Sequence, residues 1–224
     1  MKSCLERLIN MKRIGFDPKV VVDGGASIGH WSYEVRKIFT KTQILAVEPN
    51  DLIIEKTREF LNKLENPSPI IEHSELGSEN KVGFLNIWDN PETKMSGSSI
   101  REHVQGDPKK KLEINVRKLD DILDSHKIRA DVIKLDLQGY ELEALKGSEN
   151  SLKYCELAII EFGCLQAYID RTTPKDLLNF MYERDFLLYD IVDLIYRPYD
   201  NALTGGDFFF IKNSSNLKKY KGFS

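Results

Sequence analysis

The sequence predicts an α/β protein built on one mostly parallel sheet. Short apolar runs alternate with longer amphipathic stretches, the pattern of strand–helix–strand units. Four of those runs also end in an acid, at Asp23, Glu48, Asp136 and Glu161. Open α/β sheets bind ligands beyond the carboxyl ends of their strands, so acids gathered there are a second mark of the class. A chain of 224 residues suits one domain, spanning 1–224, better than two.

The elements follow in order. Residues 20–22 form the first strand and 31–39 the helix after it. Residues 44–47 make the second strand, followed by a charged helix over 52–64 that Pro67 and Pro69 break. Residues 70–73 give a third strand. The middle of the chain changes character. There 81–88 and 112–116 alternate apolar and polar residues, as half-exposed strands do. Between them, 89–107 is rich in Asn, Pro, Gly, Ser and charge, and reads as a loop or lid. The regular pattern resumes with a helix at 119–125, a strand at 131–136 and a helix at 141–145 turning at Gly147. A strand at 157–161 precedes a helix at 174–184, which opens on Pro174, where a missing N–H does no harm. Strands at 186–192 and 208–211 come last, joined by a tyrosine-rich loop over 195–206. The tail 213–224 is expected to fray.

Composition narrows the function classes. Apolar residues at 41% and charged residues at 30% are ordinary for a soluble globular chain. A net charge of −3 gives no steering toward nucleic acid or anionic lipid. No apolar run approaches the ~20 residues of a membrane span. Charges in the first residues interrupt any signal peptide, so a cytoplasmic location is expected. Cys4, Cys155 and Cys164 suit neither a disulfide framework nor a zinc site, and the spacing of His30, His73, His103 and His126 gives no metal signature.

The run from Asp23 to Gly29, Asp-Gly-Gly-Ala-Ser-Ile-Gly, departs from the Gly-x-Gly-x-x-Gly of a dinucleotide fold. There the glycines admit a pyrophosphate to a helix N-terminus, and a carboxylate at the lip would repel it. S-adenosylmethionine has no phosphate. It carries a sulfonium, an ammonium and one carboxylate. Asp23 is therefore expected to face the ammonium, while turn N–H groups and the helix N-terminus take the carboxylate. Gly25 and Gly29 allow bends that a Cβ resists. Glu48 ends the second strand, nineteen residues past Gly29, and offers two acceptor oxygens to paired ribose hydroxyls. Lys134 and Asp136 share one face of their strand because side chains alternate, and a buried lysine needs a partner. His73 ends the third strand and is a further candidate base. Trp88, Tyr168, Tyr196 and Tyr199 lie in or beside loops, where a ring stacks on a flat acceptor or anchors the loop.

With both clusters placed, the chain resembles the FkbM-type family of S-adenosylmethionine-dependent methyltransferases. The matching stretches are Val-Val-Asp-Gly-Gly-Ala-Ser-Ile-Gly at 21–29, Ala-Val-Glu-Pro-Asn at 46–50 and Val-Arg-Lys-Leu-Asp-Asp-Ile-Leu at 116–123. The most distinctive is Asp-Val-Ile-Lys-Leu-Asp-Leu-Gln-Gly-Tyr-Glu-Leu-Glu-Ala-Leu-Lys-Gly at 131–147, and the likeness runs from about residue 20 to 211. The resemblance implies a class I methyltransferase fold. This is a Rossmann-like three-layer sandwich whose seven-stranded sheet has an antiparallel last strand. It implies methylation of a hydroxyl on a sugar, glycan or natural product. It implies a cofactor set of Asp23, Gly24, Gly25, Ser27, Gly29, Glu48, Asn50, Ser74, Glu75 and Asp136. Ser98 and Ser99 match a serine pair of the family. Relatives usually carry Glu two residues after the acid, where this chain has Gln138, and often Asn in place of Asp207.

The expected chemistry is in-line transfer from the sulfonium to an acceptor oxygen, with a base to take its proton. Asp136 is the first candidate base, with Glu161 and His73 behind it. Lys134 would hold one of these carboxylates ionised. A divalent ion bridged by Asp136 and Glu161 ranks second, since no ligand spacing supports it. The partner expected is a small-molecule or glycan acceptor, with no nucleic acid and no membrane span. Two rival readings remain. One is a nicotinamide-dinucleotide oxidoreductase. The other is a non-catalytic cofactor-binding member of the fold, which Gln138 keeps open.

Overall fold

Central to the architecture is a seven-stranded sheet covered on both faces by helices. The computed structural model describes residues 3–87, 98–102, 108, 110–165 and 169–219. In chain order the first half comprises α1 (Cys4–Arg13), β1 (Val20–Gly24), α2 (His30–Ile38), β2 (Gln43–Val47), α3 (Ile54–Leu61), β3 (Ile70–Glu72), β4 (Glu75–Leu76) and β5 (Lys81–Ile87). The second half comprises β6 (Lys110–Arg117), α4 (Leu119–His126), β7 (Val132–Leu135), α5 (Glu141–Lys146), β8 (Leu157–Gly163), α6 (Pro174–Glu183), β9 (Phe186–Tyr196) and β10 (Leu203–Lys212).

The large sheet runs β3-β2-β1-β7-β8-β10-β9. Its neighbours are parallel except β10, which is antiparallel to both β8 and β9. The inner strands are buried on both faces, so they read as mainly apolar runs rather than alternating ones, with Asp23, Lys134 and Glu161 as the charged exceptions. Val22, Leu45, Ile133 and Ile160 pack against α4, α5 and α6 on one face. Val21, Ile44, Val132 and Ile159 pack against α1, α2 and α3 on the other. A second sheet, β4-β6-β5, branches off after β3 with its own small core of Leu85, Ile87, Leu112, Ile114 and Val116.

Several boundaries differ from the sequence pattern. Helix α1 was not expected. Ser3 and Glu6 form a capping box at its start, and Cys4, Leu8 and Met11 bury one stripe against the sheet. Helix α3 is shorter than 52–64, because Asn50 Oδ1 accepts Leu52 N–H (2.9 Å) in a turn that precedes it. The tyrosine-rich segment 195–206 is largely strand. Arg197 N–H donates to Ala202 O (3.0 Å), which closes a hairpin and lets β9 and β10 extend to Tyr196 and Leu203. Residues 213–219, expected as a loose tail, include a 3-10 turn, and Ser215 Oγ donates to Glu156 (2.6 Å). Of the expected lid at 89–107, residues 98–102 are described. Trp88, His103 and Tyr168 lie outside the described residues. Among the described residues, no helix is long and apolar enough to cross a membrane.

Leu8 is 1% exposed and joins α1 to the sheet. Replacing it with Ala should lower stability by about 3 kcal/mol, read from urea unfolding.

Candidate active site

The glycine turn after β1 is bound back onto β2. Val47 O accepts both Gly25 N–H and Ala26 N–H, each at 3.0 Å. Gly25 has φ +77°, and a Cβ there would stand 2.0 Å from the Asp136 carbonyl oxygen, so no side chain is admitted. Glu48 closes the turn with both oxygens. Its Oε2 accepts Ser27 N–H (2.8 Å) and its Oε1 accepts Asn50 N–H (2.9 Å). Burial pushes the Glu48 carboxyl up to about 7 against those two donors. Gly29 N–H donates to Ala26 O. The N–H groups of Gly25, Ala26, Ser27 and Gly29 are therefore spent inside the protein. Those four are not free for the ligand carboxylate expected at the turn and the helix N-terminus, which leaves the helix N-terminus as its expected donor.

A cavity of about 150 Å³ opens beyond these strand ends. Of the expected cofactor set, Gly25, Ser27, Glu48, Asn50, Glu75 and Asp136 line it, and Leu85, Ser98 and Gln138 join them. Asp23, Gly24, Gly29 and Ser74 do not. Among the described residues, Asn50 Nδ2 and Ser98 Oγ are buried on this lining without a hydrogen-bond partner, and Ser74 Oγ is likewise unpartnered. The glycine cradle and these orphaned polar atoms suit a ligand with several donors and acceptors. Burial pushes Glu75 up to about 8.

Asp23 departs from its expected place at the lip. It is wholly buried on the face shared with α1 to α3, because it alternates with Val22 and Gly24. Ser32 Oγ donates to its Oδ2 (2.7 Å). Lys134 lies on the neighbouring strand at the same register. Its Nζ stands 3.6 Å from Asp23 Oδ1 and 3.3 Å from Asp136 Oδ2, and 5.4 Å from the centre of the Trp31 ring. Burial alone would lower the Lys134 pKa, but Asp136, Asp23 and Asp207 together raise it, so the ammonium persists.

Asp136 meets a second donor. Gln138 Nε2 lies 3.0 Å from Asp136 Oδ1 and 3.3 Å from each oxygen of Glu161, so one amide bridges two carboxylates. Burial, then Asp136 and Glu141, push Glu161 well above the usual carboxylate range, opposed by Arg171 at 3.8 Å. Asp207 pairs with Glu161 across β10 and β8, and burial pushes it up to about 6. Gln138 reaches this position through a left-handed bend, with φ +53° at Gln138 and +97° at Gly139. Glu141, buried at the start of α5, holds that bend by accepting Leu137 N–H and Gly139 N–H with one oxygen, both at 3.0 Å. Sequence reasoning passed over Glu141, although an acid in the first turn of a helix was a signal for a loop-binding role.

His73 does not join this group. Its Nε2 lies 2.9 Å from Asp51 and 3.2 Å from Pro49 O, beside a separate hollow with Glu113. Among the described residues, Cys4, Asp193 and Asp207 have ligand atoms within 4.8 Å of one another. Asp193 already accepts Cys4 N–H, and burial pushes the Cys4 thiol up to about 12. A larger hollow of about 880 Å³, near Phe16, Asp131 and Leu217, lies at the amino edge of the parallel strands, away from the acids.

The model of the methyltransferase FkbM domain matches residues 23–188. The chain belongs to the FkbM methyltransferase family. Solved structures agree with the class I methyltransferase fold. Magnesium protoporphyrin IX methyltransferase from Synechocystis PCC 6803, with bound SAM, superposes with a TM-score of 0.54 at 9% identity, covering 93% of this chain and 77% of that one. A candidate RNA methyltransferase from Pyrococcus horikoshii gives 0.53 at 12% identity, covering 95% and 83%. A protein of the NADB-Rossmann superfamily from Streptococcus agalactiae gives 0.53 at 8% identity, covering 97% and 71%. At such identities the likeness is one of fold. No curated protein sequence matches the chain. The FkbM chain thus places its most distinctive motif, 131–147, on β7, the Gln138 bend and α5.

Removing the Lys134 charge should expose its structural role. The change Lys134→Met leaves Asp23 buried without a cation and should cost about 3–5 kcal/mol in urea unfolding. Glu75 keeps its proton to about 8 when folded but releases it near 4.5 when unfolded. The folded chain then binds more protons between those values, so stability falls as pH rises through them. Thermal midpoints should decline across that window, and Glu75→Gln should flatten the decline.

Proposed function

We propose that this FkbM-family chain uses S-adenosylmethionine to methylate a hydroxyl oxygen on a sugar, glycan or natural-product acceptor. One observation carries the reading. Glu48 and the Gly25 cradle share a cavity with Asp136, whose carboxylate is gripped by Lys134 and Gln138. The bound cofactor would supply an electrophilic methyl group. Glu48 retains lone pairs for paired ribose hydroxyls, and Asn50 Nδ2 is available to the same ligand. Asp136 shares the cavity lining with Glu48 and Glu75, and its side chain is 39% exposed. It receives the acceptor proton on an oxygen, while Lys134 pairs with its other side and Gln138 fixes its plane. Glu161 is held above the ordinary range and stands behind as a proton store. Asp23 and Lys134 act through Asp136 by fixing its position. His73, beside its own hollow, has no part in this chemistry.

The oxidoreductase reading is disfavoured by the same geometry. A pyrophosphate at the turn would find its N–H groups already donating to Val47 O, Glu48 and Ala26 O. It would also meet the carboxylates of Glu48 and Asp136.

Calorimetry should show binding of S-adenosylmethionine and S-adenosylhomocysteine and none of nicotinamide cofactors, with Glu48→Ala abolishing it. With labelled methyl donor and a cell extract, Asp136→Asn should cut labelling of the acceptor about a hundredfold while leaving S-adenosylhomocysteine affinity intact. Undiminished labelling would remove Asp136 from proton transfer.

A further inference from the structure

The cavity is shared by two sheets. Gly25, Glu48 and Asp136 come from the strand ends of the large sheet, whereas Glu75, Leu85 and Ser98 come from the small sheet and the segment beside it. That segment is firmly tied. Asn86 N–H donates to Ser99 O (2.8 Å) and Ser99 N–H donates to Asn86 O (3.2 Å). Asn86 Nδ2 also donates to Ile100 O and Arg101 O. Ser99 is wholly buried, and its Oγ donates to Gln138 O (2.9 Å) while accepting Arg101 N–H (3.0 Å). Small-sheet and large-sheet loops are thereby joined at the bend that carries Gln138.

Ser98 is the exception within this network. Its hydroxyl is buried on the cavity wall and has no partner among the described residues. A buried hydroxyl left unpaired is costly, and a segment pinned at its next residue does not turn away easily. A ligand edge supplies the missing partner. The neighbouring wall suggests which edge. Ile53, Leu85 and Leu137 are apolar and suit the faces of a flat ring, while Asn50 Nδ2 and Glu75 supply polar groups at its rim.

We propose that Ser98, carried by the small sheet, hydrogen-bonds the adenosyl half of the cofactor. This rests on the S-adenosyl reading above. It gives the small sheet a task, which is to complete the nucleoside pocket that the large sheet leaves open.

The test is calorimetry on the full chain with two probes, S-adenosylhomocysteine and 5′-methylthioadenosine, the second lacking the amino-acid half. Ser98→Ala should raise Kd about fivefold for both probes, the effect of one neutral hydrogen bond. Ser98→Thr keeps the hydroxyl and should stay within about twofold of the parent chain. Thermal melts check that each variant is folded. Wild-type affinity in Ser98→Ala overturns the proposal, as does equal loss in Ser98→Thr. Loss confined to S-adenosylhomocysteine overturns the assignment to the adenosyl half. Failure of the parent chain to bind either probe would instead sink the S-adenosyl reading, whereas loss in Glu48→Ala with none in Ser98→Ala would spare it.

Discussion

The ammonium of Lys134 is the interaction on which the site depends. It occupies a central strand, almost wholly enclosed, with Asp23 beside it at the same register and Asp136 two residues on. Two carboxylates on adjacent strand ends repel each other unless a cation lies between them, and here the cation comes from the sheet itself. Breaking such a set strands a charge where water cannot reach it. The position of Asp136 is therefore fixed by the core rather than by a mobile loop. Gln138 then extends that order outward, from Asp136 to Glu161.

The carboxyl edge of the sheet is acidic to an unusual degree. Glu48, Glu75, Glu161 and Asp207 are each held above their ordinary range, with burial as the first cause in every case. Carboxyls raised in this way keep protons that exposed ones would lose, so they offer donors as well as acceptors to a ligand. In the glycine turn, the N–H groups of Gly25, Ala26, Ser27 and Gly29 hold the protein together by donating to Val47 O, Glu48 and Ala26 O.

Much of this was legible in the chain. The apolar runs at 44–47 and 157–160 announced buried parallel strands because nothing polar interrupts them, and 131–136 read as a strand despite Lys134 and Asp136 on one of its faces. The acids at strand ends announced the functional edge, since chain direction alone puts them there. Facing was harder to read. Asp23 sits on a strand buried on both sides, where alternation says that it points away from Val22 but not which layer it enters. Helix α1 was obscured because its charges were weighed only against a signal peptide, although Ser3, Glu6 and the stripe Cys4, Leu8, Met11 carried a helix pattern. Strand β4 has two residues, too few for any periodicity, so the second sheet was invisible as a sheet. The Glu141 contacts could not be read from spacing, since they depend on a bend that residues 138 and 139 make only when folded.

The strand order has a consequence for biosynthesis. β10 lies between β8 and β9, yet it leaves the ribosome after both of them. Until residues 203–212 emerge, β9 has no neighbour and the apolar edge of β8 stays open. Such an edge is a template for pairing with other chains. A chain stopped after β9 would keep that open edge for good.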